Sequence, residues 1–129
     1  MKIERFEEIE SWKKARDLTK SIYVLTRKNE FAKDYGLKDQ IQRACVSIIA
    51  NIAEGFDSGS KKSFIVFMRY AYRSASEVQS LLYITFDCNY ITKKEFDDSM
   101  TLTGNIRKLI GGFIQYLQRT KTTNSLSTK

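Results

Sequence analysis

Not one proline interrupts the 129 residues of this chain, and its 6 glycines leave most of the backbone free to continue whatever regular structure it begins. Proline and glycine are the strongest local breakers, so long unbroken segments follow. Within them apolar residues recur at steps of three and four, the spacing of one helix face, instead of alternating as in a half-buried strand. The first segment, 9–28, gathers Trp12, Ala15, Leu18, Thr19, Ile22, Leu25 and Thr26 on one side. The polar run from Asn29 to Tyr35 reads as a turn, and a second helix is expected over 37–54 with Gly55 as its C-terminal cap. Serines in Asp57-Ser58-Gly59-Ser60 can cap a third helix, 61–88, with Phe64, Phe67, Met68, Ala71, Ala75, Val78, Leu82 and Phe86 in core register. Asn89 is placed to stop that helix in the left-handed conformation. Thr92-Lys93-Lys94-Glu95 is a capping box, and Ile91 with Phe96 has staple spacing, so a fourth helix opens there and runs over 93–118. Its Gly111-Gly112 pair marks a weak point or a close backbone approach. Four long helices with short connections make an all-α, antiparallel up-and-down four-helix bundle. It forms a single domain over 1–119, followed by a frayed polar tail, 120–129.

Composition narrows the chemistry. Apolar residues are 42% and charged residues 29%, enough for a core under a wetted surface. No apolar run approaches the ~20 residues that cross a bilayer, and the N-terminus has no apolar signal region, so a cytoplasmic protein without a membrane partner is expected. Histidine is absent, which removes the commonest general base and metal ligand together. Cys45 and Cys88 stand too far apart for a metal box and read as small core residues. Ser58-Gly59-Ser60-Lys61 matches the Ser-x-x-Lys pattern but lacks its companion motifs. The surrounding stretch misses a phosphate loop by a glycine and by the strand that should precede it. No enzyme, cofactor or metal is therefore expected. An anion site at the start of the third helix, beside Lys61 and Lys62, remains open.

The 22 Lys and Arg outnumber the 15 Asp and Glu, giving a net charge of +7, and no acid follows Asp98. Lys13, Arg16, Lys20 and Arg27 fall within roughly 60° on a helical wheel of the first helix, and Lys62, Arg69 and Arg73 line up on the third. Together with Lys61, Arg107 and Lys108 these are the candidate phosphate contacts of a shape-led, salt-sensitive nucleic-acid binder. The alternative is an ordinary solvated surface on a protein-interaction scaffold. The second helix is apolar nearly all round, with Val46, Ile49 and Ala53 beyond its main face, and Ile65, Tyr72 and Tyr83 flank the third helix's core stripe. Such surface calls for a second subunit, so a homo-oligomer is expected. The second helix keeps a polar strip of Gln40, Arg43, Ser47, Asn51 and Glu54, which would need partners if buried. Arg43 is expected to meet a carboxylate such as Glu54 or Glu77 or one on another subunit, and Asn51 to bond backbone or a polar neighbour.

The segment from Phe6 to Leu18, Phe-Glu-Glu-Ile-Glu-Ser-Trp-Lys-Lys-Ala-Arg-Asp-Leu, resembles the opening Phe-Glu-x-Leu-x-x-Trp-x-x-Ala-x-x-Leu of the bacterial 23S ribosomal RNA intervening-sequence proteins. Gln40 to Ala44, then Ser47-Ile48-Ile49-Ala50-Asn51-Ile52-Ala53-Glu54-Gly55-Phe56 and Ser60 to Phe64, looks like the family's Asn-Ile-Ala-Glu-Gly signature in context. Ser76-Glu77 and Gly111 to Ile114 continue the likeness, which spans about 6–118; Ile49 departs from it, standing where relatives often carry proline. The resemblance implies a four-helix bundle assembled into a pentameric, barrel-like ring. It associates the chain with ribosomal RNA or other nucleic acid and, through similar retroelement accessory proteins, with a reverse transcriptase. It assigns no biochemical activity.

Overall fold

A computed structural model of the chain describes residues 2–119, so the expected polar tail lies outside the described residues. A 3-10 turn at Phe6–Glu8 leads into α1 (Glu10–Leu25), the short α2 (Asn29–Lys33), α3 (Tyr35–Asp57), α4 (Lys61–Asp87) and α5 (Lys93–Arg119). The four long helices form the antiparallel bundle: α3 packs on α1 and α4, and α5 packs on α4 and α1. That order makes α1 and α4 one diagonal pair, with α3 and α5 the other.

Side-chain caps start three of the helices. Asp34 Oδ1 accepts the Leu37 N–H at 3.2 Å, and its Oδ2 accepts the Tyr90 hydroxyl at 2.9 Å, tying the start of α3 to the α4–α5 connection. Ser60 Oγ accepts the Ser63 N–H at 3.1 Å, while the connection before it turns through Gly59 at φ +83°. The capping box closes as expected: Thr92 Oγ1 accepts from Glu95 N at 3.0 Å, and Glu95 Oε1 from Thr92 N at 2.9 Å. Lys28, just before α2, reaches the same carboxylate. Asn89 takes φ 61° and ends α4, with Tyr90 N–H reaching back to Thr85 O at 3.1 Å.

Inside, Ile41, Cys45, Ile48 and Ile52 of α3 meet Met68, Ala71, Ala75 and Val78 of α4, all at 0% exposure. Small residues at the centre of α4 let that pair of helices approach closely, and each buried Ile contributes about 1.5–3 kcal/mol. Thr85 and Thr103 enter the core because each hydroxyl donates to a carbonyl of its own helix, Leu81 O at 2.8 Å and Ser99 O at 2.7 Å.

Five local expectations change. Helix α1 ends at Leu25, where Thr26 turns its hydroxyl onto Tyr23 O, and the expected turn at 29–35 contains α2. One helical turn there is stabilised by Phe31, 1% exposed and stacked on Tyr90 at 5.3 Å. Gly55 is not a cap, because α3 continues to Asp57. Its missing side chain admits α4 instead: a Cβ there would stand 2.8 Å from Phe64 Cδ1 and 3.0 Å from Phe67 Cβ. Gly111 and Gly112 allow no close backbone approach, since a Cβ at Gly111 meets only Tyr72 Cε2, at 3.9 Å, and one at Gly112 meets nothing within 4 Å. Finally, Cys45 is a core residue whose thiol burial pushes up to about 12, whereas Cys88 lies exposed at the end of α4.

Candidate nucleic-acid interface

The expected cationic residues separate into two faces and several individual placements. Lys13, Arg16 and Lys20 are exposed along α1, and Arg27 falls beyond that helix in the turn to α2. Lys13 lies 3.9 Å from Glu10, and the Arg16 guanidinium sits over the Trp12 ring at 5.9 Å. On α4, Lys61 occupies the half-buried first position, and Lys62, Arg69 and Arg73 are exposed. Because α1 and α4 are diagonal, their outward basic stripes face away from one another, and one copy cannot present both to a single flat surface.

Acids at the start of α5 are already engaged. Glu95 holds Lys28, Asp97 pairs with Lys93 at 2.8 Å, and Asp98 pairs with Lys94 at 2.8 Å. Among the described residues no carboxylate lies within ion-pair distance of Lys20, Arg27, Lys62, Arg69, Arg73 or Lys108.

The α4 stripe borders a groove of about 420 Å³ between α4 and α5, lined by Arg69, Tyr72, Arg73, Gly111, Ile114, Gln115 and Gln118. No acid lines it, a consequence of the acid-free stretch that follows Asp98. Arg107 plays a different part from the one expected. Its NH1 donates to Gln79 Oε1 at 2.8 Å, its NH2 donates to the Tyr72 hydroxyl at 3.0 Å, and its guanidinium covers the Tyr72 ring at 4.7 Å. A half-buried guanidinium so engaged fixes the ring and offers no free fork to a phosphate. Lys108 points to the other side of α5, where it borders an apolar hollow of about 560 Å³ with Ile3, Ile9, Leu109, Phe113 and Tyr116.

The polar strip of α3 meets α4. Ser47 Oγ and Ser74 Oγ are 2.8 Å apart, and Asn51 Nδ2 donates to Ser47 O at 2.8 Å and to Ser47 Oγ at 3.0 Å. Glu77 accepts from Gln40 at 3.3 Å. Arg43 is exposed and finds no carboxylate among the described residues, neither Glu54 nor Glu77, and Glu54 is exposed as well. Of the expected interface residues, Ile65 and Tyr72 are half-buried against their own bundle, while Tyr83 is 55% exposed and edge-on to Phe96. Further exposed apolar surface comes from Val66 and Tyr70, one turn apart on α4, where the Tyr70 ring is edge-on to Phe67 and lies under the Arg73 guanidinium at 5.9 Å. Val46, on the second apolar face expected of α3, is exposed too.

These features meet a family pattern over most of their length. The profile of the 23S rRNA-intervening sequence proteins matches residues 7–112. The chain belongs to that family. The match runs from the 3-10 turn to Gly112 and so contains both basic stripes and the α3 polar strip. Among solved structures, a protein of unknown function from the S23 ribosomal protein family of Bacteroides thetaiotaomicron VPI-5482 superposes with a TM-score of 0.75. It is 24% identical, and the alignment covers 81% of this chain and 95% of that one, a likeness of fold. No curated protein matches. No helix among the described residues is long and apolar enough to cross a membrane, and no group of three or more metal-ligating side chains occurs among them.

Proposed function

We propose that this intervening-sequence family protein is a non-enzymatic, homo-oligomeric module of the cytoplasm that binds structured RNA through basic helix faces, as a pentamer if it follows the ring the resemblance implies. The observation that carries the reading is the α4/α5 groove: two exposed arginines without ion-pair partners, beside glutamine amides and a tyrosine, with no acid in the lining. Such a surface neutralises phosphates and releases counterions, which gives affinity without reading sequence. The α1 stripe adds Lys13, Arg16 and Lys20, and Lys62 extends the α4 stripe. Because the stripes lie on diagonal helices, several copies are what would bring both kinds of face to one polyanion, and repeated faces act together. The exposed Val46, Val66 and Tyr70 supply apolar surface for those contacts between copies, or for another protein if the module is a scaffold.

A salt titration of binding to a labelled ribosomal RNA hairpin tests the reading. Affinity should fall steeply between 50 and 200 mM salt, by about 10³ or more if six or more phosphates are contacted. The double substitution Arg69→Glu with Arg73→Glu should weaken binding more than Lys13→Glu with Lys20→Glu, because Lys13 already has Glu10 beside it. No binding at low salt would end the RNA reading and leave the scaffold.

A further inference from the structure

Resting on the RNA-binding reading above, we propose that the α4/α5 groove is a pocket for one unpaired nucleotide, with Tyr72 as the platform for its base. Gly111 is the starting point. A glycine inside a helix costs about 1 kcal/mol relative to alanine, and packing does not require this one, since a Cβ would meet only Tyr72 Cε2 at 3.9 Å. What the missing side chain leaves is open space beside the Tyr72 ring, in a groove of about 420 Å³. That volume suits a small ligand and excludes a duplex. The ring is held in place from within: the Arg107 guanidinium covers it at 4.7 Å and donates to its hydroxyl oxygen at 3.0 Å, leaving the phenolic hydrogen free to donate. Unpaired bases are recognised by stacking on such aromatic or guanidinium-backed surfaces and by hydrogen bonds to their edges. Gln115 and Gln118, one turn apart on the facing wall, offer both donors and acceptors to a base edge. Arg69 and Arg73, one turn apart on α4, stand at the opposite wall for the flanking phosphates.

The test uses the full chain and two RNA hairpins of identical stem, one carrying a single-nucleotide bulge, with affinities read by fluorescence anisotropy at one fixed salt concentration. The bulged hairpin should bind about tenfold tighter, the effect of one stacked base. Gly111→Leu fills the groove without altering charge and replaces a poor helix former with a good one. It should abolish the tenfold preference while the plain hairpin keeps its affinity. Gln115→Ala, which leaves the groove's shape on the α4 side intact, should reduce the preference by several fold, and circular dichroism checks that both variants remain helical. Equal affinity of the wild-type protein for the two hairpins overturns the pocket and leaves phosphate binding standing. So does a tenfold preference that survives both folded variants. Failure of both hairpins to bind at low salt overturns the pocket together with the RNA reading on which it rests.

Discussion

Replacing Gly55 by alanine should destabilise the bundle, although the same change stabilises most helix interiors. In an unobstructed helix the exchange gains about 1 kcal/mol, because alanine loses less backbone entropy than glycine. At position 55 the added methyl would sit 2.8 Å from Phe64 Cδ1, 3.3 Å from Phe64 Cε1 and 3.0 Å from Phe67 Cβ. Neither neighbour can withdraw at little cost. Phe64 is 4% exposed, with its ring edge-on to Phe56 at 6.2 Å and to Phe113 at 5.2 Å, and the Phe67 Cβ moves only with the α4 backbone. Overpacking of this kind costs about 1–3 kcal/mol, and two close atoms from one well-held wall place it near the top of that range. Subtracting the helical gain leaves a loss of about 2 kcal/mol, or roughly 8 °C in melting temperature for a chain of this size. Gly112→Ala is the matched control, since its Cβ meets nothing within 4 Å and only the helical gain of about 1 kcal/mol remains. Thermal and urea unfolding of the two variants beside the wild type should therefore move in opposite directions. If Gly55→Ala melts at or above the wild type, the close approach of α3 and α4 is not what the glycine provides.

The remaining expectations concern charge and thiols. The hydrogen bond from Lys28, and next the Thr92 N–H, hold the Glu95 carboxyl below its ordinary value of 4.5. Since the folded pKa is the lower one, the stabilisation is complete above about 4.5 and is lost as pH falls through the folded value. Glu95→Gln, which can keep the bond from Thr92 N–H but loses the charge facing Lys28, should therefore cost about 0.5 kcal/mol at pH 7, and that difference should shrink in urea melts at pH 3; a penalty equal at both pH values would refute the ionic part of the cap. Burial that pushes the Cys45 thiol up to about 12 keeps it protonated at pH 8, while Cys88 is exposed. A disulfide-exchange reagent should thus titrate one thiol rapidly in the folded protein and two in denaturant, and two rapid thiols without denaturant would contradict the packing of α3.

Periodicity reads helices one at a time, and the limits of legibility follow from that. The capping box at Thr92 and Glu95 and the left-handed Asn89 were visible because their signals lie within a few residues of the boundary they set. Phe31 lacked such a signal: a polar segment holds a helical turn there because its ring stacks on Tyr90, 59 positions along the chain. Gly55 ended an apolar run and so resembled a cap, but its role is decided by Phe64 and Phe67 opposite, which no wheel of α3 contains. The same reasoning separates Arg73 from Arg107. Both are cations on long helices, yet Arg107 follows the core residue Ile106 and turns toward α4, where Gln79 and Tyr72, seven positions apart and therefore on one face, receive it. That pairing could have been sought from the sequence by matching polar residues along the margins of neighbouring core stripes. Gln115 and Gln118 are illegible in the sequence for a similar reason, since a glutamine on a solvated margin carries no periodic signal until a second helix brings arginines to the other side of the groove. A site assembled from the edges of two helices is thus only half written in either one, and the acid-free run after Asp98 was its clearest trace in the sequence.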